Sequence, residues 1–249
     1  MKTIRFAAFL GATLALLGPA SAQTKTVVLV HGAFADGSSW EKVIPFLEAK
    51  GLKVIAVQNP LTSLADDVAA TKRALDEQTG PVILVGHSWG GMVITEAGND
   101  DKVAALVYVA AFAPDDGQAA GDLGKDYPPP PGIQKLKQDK AGFLFLPAEA
   151  VAKDFAQDLP ASQTKVMAVT QGPIAGKCFG EKITTAAWKK KPSWFIVAKN
   201  DHMIAPELEQ AMAKSIKATT TTVSSSHVAM LSHPKEVAAA IIAAADAVK

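Results

Sequence analysis

A single cysteine, Cys178, stands among 249 residues. No internal disulfide can therefore staple the fold, and the cross-linked scaffolds of small exported proteins are excluded. A lone thiol without a partner reads as a small packed side chain. Charge of one sign is also lacking. The 25 basic and 24 acidic residues leave a formal net charge of +1, far from the basic surface that nucleic acid or an anionic membrane selects. No internal repeat, no long disordered tract and no HExxH-type ligand spacing is present, so the sequence calls for neither a metal nor an organic cofactor.

No apolar run as long as a membrane span is present either. Lys2 and Arg5 precede an apolar stretch from Phe6 to Leu17, and Ala20-Ser21-Ala22 forms an A-x-A cleavage site. A membrane span needs about 20 apolar residues. The shorter stretch reads as a signal peptide over 1–22, which implies export to a periplasm or the exterior without a stable anchor. Its removal takes away two basic and no acidic residues, moving the formal charge from +1 to −1. About 227 residues then remain, from Gln23 on, enough for one α/β domain with a large core.

What the chain does have is organised around PVILVGHSWGGMVITEA, residues 81–97. Val82 to Val85 show no polar alternation, the pattern of a strand buried on both faces. Gly86-His87-Ser88-Trp89-Gly90 ends that strand and Met92 to Ala97 begins a helix, so Gly-x-Ser-x-Gly sits in the strand–turn–helix context of a nucleophile elbow. The glycines remove Cβ atoms that would collide in so tight a turn. Ser88 is left at a helix N-terminus, where free amides favour developing negative charge.

Around this elbow the spacing predicts strands at Thr26–Val30, Leu52–Val57, Val103–Ala110, Ser193–Ala198 and Thr219–Val223. Helices are predicted at Ser39–Lys50, Leu64–Gln78, from about Pro206 to Lys217, and at Val237–Val248. Strands alternating with helices at this spacing mean crossovers, a mostly parallel twisted sheet covered on both faces, and ligands beyond the strands' carboxyl ends. Residues 112–190 break the rhythm and read as a small cap insertion. Within it lie the proline run Pro128 to Pro131 and two apolar segments, Phe143–Leu146 and Val151–Leu159, read as short helices. Lys189 to Lys191 reads as a solvated turn. Gly172 to Cys178 lacks the spacing and the hydroxyl of a phosphate loop, and is rejected as one.

The segments LVHGAFADGSSW, ILVGHSWGG, AKNDHMIAP and SSHVAMLSHP resemble the α/β-hydrolase superfamily. Within it they are similar to the small-cap esterase group that contains plant methylesterases and hydroxynitrile lyases. The likeness covers about residues 25–112 and 193–248. It implies Ser88 as nucleophile, Asp201 as acid, His227 as base, and the amides of Ala33 and Trp89 as the oxyanion hole. The chain order Ser, Asp, His is the one such a fold uses. Rivals exist for each role. His31 reads as a structural histidine pinning its loop, His87 lies inside the elbow, His202 neighbours the acid and His233 precedes the last helix. Asp115 and Asp116 follow the fourth strand and read as a surface turn.

These residues lead to one expectation, a serine carboxylesterase acting on small to medium esters through an acyl-enzyme. Hydroxynitrile-lyase-like cleavage and cofactor-free peroxide or oxygen chemistry use similar triads. The lyase branch resembles a site with lysine directly after the catalytic histidine, where this chain has Val228. A non-catalytic ligand receptor on the same fold is the remaining alternative; such receptors commonly lose a triad member, and all three are retained here.

Overall fold

The β-branched runs of this chain become strands, the central ones covered on both faces, and the computed structural model describes them within residues 25–248. The leader expected over 1–22 lies outside the described residues. Six strands form one sheet: β1 (Thr26–Val30), β2 (Lys53–Val57), β3 (Val82–His87), β4 (Val103–Val109), β5 (Ser193–Ala198) and β6 (Thr219–Val223). Their order is β2-β1-β3-β4-β5-β6 and every pairing is parallel. β1 and β3 are buried throughout. β6 is an edge strand whose Thr219 to Thr222 face solvent, which suits branched but polar side chains.

The chain steps from β1 outward to β2, then returns across β1 to β3. Val30 at the end of β1 accordingly pairs with Val57 on one side and Gly86 on the other. This reversal opens a crevice at the carboxyl ends of β1 and β3, the place where open parallel sheets receive ligands. Five helices pack around the sheet, α1 (Ile44–Glu48), α2 (Leu64–Asp76), α3 (Gly90–Ala97), α5 (Pro206–Ser215) and α6 (Pro234–Ala247), while α4 (Ala161–Thr170) lies in the insertion. α2 packs with α3 on one face, and α1 with α6 on the other. Among the described residues no helix is long and apolar enough to cross a membrane.

Three local expectations are corrected. Ser39–Lys50 is not one helix: a 3-10 turn at Gly37–Trp40 precedes the short α1. Asp36 accepts the Ser38 amide at 2.7 Å and draws the chain into the tight turn, and Pro45 then starts α1, where a missing N–H is harmless. Phe143–Phe145 is a strand, not a helix, in an antiparallel sheet with Lys137–Gln138 and Ile174–Ala175. Asp139 Oδ1 accepts the Ala141 and Phe143 amides at 2.8 and 2.9 Å, and Gly142 takes a φ of +86°, so this stretch is a hairpin turn. Val151–Phe155 is a wide helical turn with i→i+5 character, following a single α-turn at Ala148–Ala150.

The elbow between β3 and α3 has little room. Ser88 takes a φ of +52°, a strained region for a residue with a side chain. A Cβ on Gly86 would lie 2.5 Å from the Gly90 carbonyl oxygen, and one on Gly90 would lie 2.5 Å from the Val30 carbonyl oxygen. Both obstacles are backbone and cannot rotate away. Gly90→Ala is therefore expected to destabilise the protein by about 2 kcal/mol or more, as overpacking does; chemical denaturation measures it, and a wild-type midpoint would contradict this account of the turn.

Candidate active site

Ser88 is held by backbone alone. Its amide donates to Val109 at 3.3 Å, and its carbonyl accepts Gly91 at 2.9 Å and Phe112 at 3.2 Å. The following residue, Trp89, is completely buried, and its indole Nε1 donates to Asp67 Oδ2 at 2.7 Å. Asp67 Oδ1 accepts the amide of Leu61 at 2.8 Å. A buried carboxylate on α2 thus ties the elbow to the loop after β2. Burial pushes the Asp67 carboxyl up to about 6, against the pull of its two N–H donors.

Beside the elbow, the loop after β1 carries Ala33. His31 Nε2 accepts the Asn59 amide at 2.9 Å and Nδ1 lies 2.8 Å from the Gly32 carbonyl, which it meets as an N–H donor. Burial keeps this imidazole below its ordinary value, so His31 pins the loop as a neutral ring. The Phe34 amide donates to Gly172 at 3.1 Å, whereas among the described residues the amides of Ala33 and Trp89 donate to no carbonyl. Both residues line a small cavity of about 20 Å³ together with Ser88 and His227. That is room for about one water-sized group.

His227 follows β6 and Asp201 follows β5. His227 Nδ1 and Asp201 Oδ2 are 2.5 Å apart, with both side chains almost wholly buried. Asp201 Oδ1 also accepts the amides of Met203 at 2.6 Å and Ile204 at 3.0 Å. Burial acts to raise this carboxyl, but the adjacent His227 and these donors outweigh it and hold it below its ordinary value. The pairing leaves His227 Nε2 for the cavity. The Ser88 hydroxyl makes no hydrogen bond among the described residues; catalytic contacts of this kind are often loose before substrate binds.

The rival residues lie elsewhere. His87 is fully buried beneath the elbow, its Nε2 donating to the His227 carbonyl at 3.0 Å, and burial with the neighbouring His227 holds it well below its ordinary value. His202 lies 3.4 Å from Asp154, and His233 meets Ser232 at 3.0 Å. Asp115 and Asp116 both bind Lys189, at 2.5 and 2.7 Å, on the surface. Lys189 is therefore a clamp rather than a free solvated lysine. Cys178 is buried, which pushes its thiol up to about 12 and leaves it inert.

The insertion between β4 and β5 reaches over these groups. Asp158 accepts the Ser226 amide at 2.8 Å, and Gln157 donates to the Asn200 carbonyl at 2.6 Å. The Phe155 ring lies 5.3 Å from that of His227, tilted against it, and meets Phe34 edge to face at 6.3 Å. The same insertion walls a chamber of about 370 Å³, lined by apolar side chains with Tyr127 the one polar exception. Phe112, Ile133, Phe179, Met203 and Ile204 line both this chamber and the small cavity at Ser88, so the two adjoin. Sequence reasoning missed Asp67 and Asp158. The available signal for Asp67 was a second carboxylate, after the capping Asp66, on the face of α2 that carries Leu64, Val68 and Leu75.

A doubly wound parallel sheet, a serine on a strained strand-to-helix turn and a histidine–aspartate pair after the last two strands together define an α/β hydrolase. The model of the Alpha/beta hydrolase family matches residues 27–240, and the chain belongs to that family. It is 41% identical over 108 residues to salicylic acid-binding protein 2 of Nicotiana tabacum, a match spanning 36% of this chain and 41% of that protein. It is 26% identical over 255 aligned positions to the pyrethroid hydrolase of Sphingobium wenxiniae, covering 89% of this chain and 88% of the relative. A crystal structure of a pyrethroid hydrolase superposes with a TM-score of 0.79 at 23% identity, over 90% of this chain and 98% of that one, a likeness of fold. Methylesterases of Arabidopsis thaliana are also among the relatives, in agreement with the branch that the motifs resemble.

Asp67 sets a pH-dependent expectation. The folded chain holds this proton more tightly than the unfolded chain, whose value is near 3.8. Its contribution to stability is thus greatest below about pH 4 and is lost as pH rises through about 6. Asp67→Asn has no such proton to lose. The melting temperature of wild type minus that of the variant is expected to fall between pH 4 and 6.5; a rise would mean that the two N–H donors outweigh burial.

Proposed function

We propose that this protein is a serine carboxylesterase whose nucleophile is Ser88. The observation that carries the reading is the buried His227–Asp201 hydrogen bond of 2.5 Å beside the cavity that Ser88 lines. A serine hydroxyl is a weak nucleophile at neutral pH, so a base must take its proton as the ester carbonyl is attacked. His227 takes it at Nε2 and later returns it to the leaving alkoxide. Asp201 fixes the tautomer with Nδ1 protonated and stabilises the imidazolium. The free amides of Ala33 and Trp89 hold the tetrahedral oxyanion, each such donor being worth about a hundred- to a thousand-fold in rate. Water activated by His227 then hydrolyses the acyl-enzyme.

The substrate is a neutral ester with a sizeable apolar group. No charged side chain lines the chamber of about 370 Å³, so an ionised substituent would be desolvated there without a partner. Names among the relatives, a pyrethroid hydrolase and several methylesterases, support ester cleavage. The basic, apolar and small-residue pattern of residues 1–22 supports action outside the cytoplasm.

A fluorophosphonate is expected to label the mature protein at Ser88, found by peptide mapping, and Ser88→Ala to lower kcat on a short aryl ester by on the order of 10⁶. Folded wild-type protein that neither labels nor turns over such an ester would overturn the reading. Filling the chamber with Ile133→Trp is expected to lower kcat/KM for a bulky aryl ester at least about ten-fold more than for an acetyl ester, measured as a ratio within one preparation.

A further inference from the structure

A buried carboxyl outside the triad faces the triad acid. Glu209 stands on α5, one turn into the helix that follows Asp201, and has no solvent exposure. Its neighbours on the same face are Leu208, Met212 and Ala213, all buried. Glu209 Oε2 accepts the amide of Ala198, the last residue of β5, at 2.9 Å. Its Oε1 has no donor among the described residues, and the carboxyl lies within side-chain hydrogen-bonding reach of Asp201.

Two carboxylates in contact in a fully buried site cannot both be charged. Asp201 already receives His227 and two backbone amides, while Glu209 receives one amide. The charge therefore rests on Asp201. With a proton on Glu209, the orphan oxygen becomes a donor and both side chains are satisfied; with none, a buried acceptor is left empty against a second negative charge. The ionisable groups facing Glu209 are Asp201 and, behind it, His227; β5 supplies the Ala198 amide.

From this arrangement we infer that Glu209 is a positioning residue of the reaction: a neutral acid that donates a hydrogen bond to Asp201 and holds its carboxylate toward His227. The inference rests on the esterase reading above. Glu209 touches no substrate. It acts by fixing the Asp201 rotamer and by drawing charge from Asp201, which limits how strongly His227 holds its proton. Burial and the neighbouring Asp201 both push the Glu209 carboxyl far above the ordinary range, in agreement with a group that stays protonated.

The test compares Glu209→Gln and Glu209→Leu in the full chain, with kcat and KM followed against pH and the rate of fluorophosphonate labelling measured alongside. Glutamine copies the neutral acid, its oxygen accepting Ala198 and its amide donating to Asp201. It is expected to keep kcat, labelling and the acidic limb of the pH profile within about two-fold of wild type. Leucine removes the donor and is expected to lower kcat about ten-fold or more at unchanged KM, and to move the acidic limb to higher pH.

An acidic limb shifted to lower pH in Glu209→Gln would show that Glu209 is charged and would overturn the inference. So would Glu209→Leu that loses thermal stability but keeps the wild-type kcat and pH profile. If Glu209→Leu does not fold, a shifted limb in Glu209→Gln still overturns the inference, and an unshifted one at wild-type kcat supports it. Wild-type protein that does not label at Ser88 is a different failure, that of the esterase reading itself.

Discussion

The contact between the Ser88 turn and the end of β1 constrains everything around it. Gly90 packs against the Val30 carbonyl and Gly86 against Gly90, each so closely that a single methyl would meet backbone. That approach brings the loops after β1 and β3 to the same level, because Val30 and Gly86 pair directly in the sheet. Two amides, Ala33 and Trp89, then come to line one small cavity from different parts of the chain. The strain at Ser88, with its φ of +52°, is sustained by the strands and helices packed around it.

Several polar groups buried at this site tie its loops together. Asp67 holds Trp89 and Leu61, His87 holds the His227 carbonyl, and Asp158 holds the amide of Ser226. These groups fix backbone rather than carry out chemistry. A low-dielectric interior makes each hydrogen bond stronger and each vacancy more damaging. The positions of Ser88, Asp201 and His227 are thereby fixed by groups other than these three. The insertion takes part in this as well, since its segment around Phe155 straps the loops that carry Asp201 and His227.

The same insertion sets what can approach. Its prolines and aromatic side chains wall an apolar chamber adjoining the cavity at Ser88. Chemistry and selectivity are therefore divided between two parts of the chain. The sheet and its loops carry Ser88, His227 and the amides of Ala33 and Trp89, and the insertion supplies much of the apolar wall of the chamber beside them.

The sequence by itself determined the strands, the elbow and the order of the candidate site residues. Unbroken apolar runs such as Val82 to Val85 can only be buried on both faces, and Gly-x-Ser-x-Gly leaves a turn few residues could make. Those are local rules, readable over five to ten residues. Ser88, Asp201, His227, Ala33 and Trp89 were legible because each follows a strand that local pattern identifies. Only the tertiary structure decided the path of residues 112–190, where Phe143–Phe145 pairs as a strand although its pattern fits a helix equally well. It alone turned Glu209 toward Asp201 and Asp67 toward Trp89. The physical reason is that burial of a carboxyl depends on what packs over it, and those covering residues lie 8 to 22 positions away in sequence, beyond the reach of any local period.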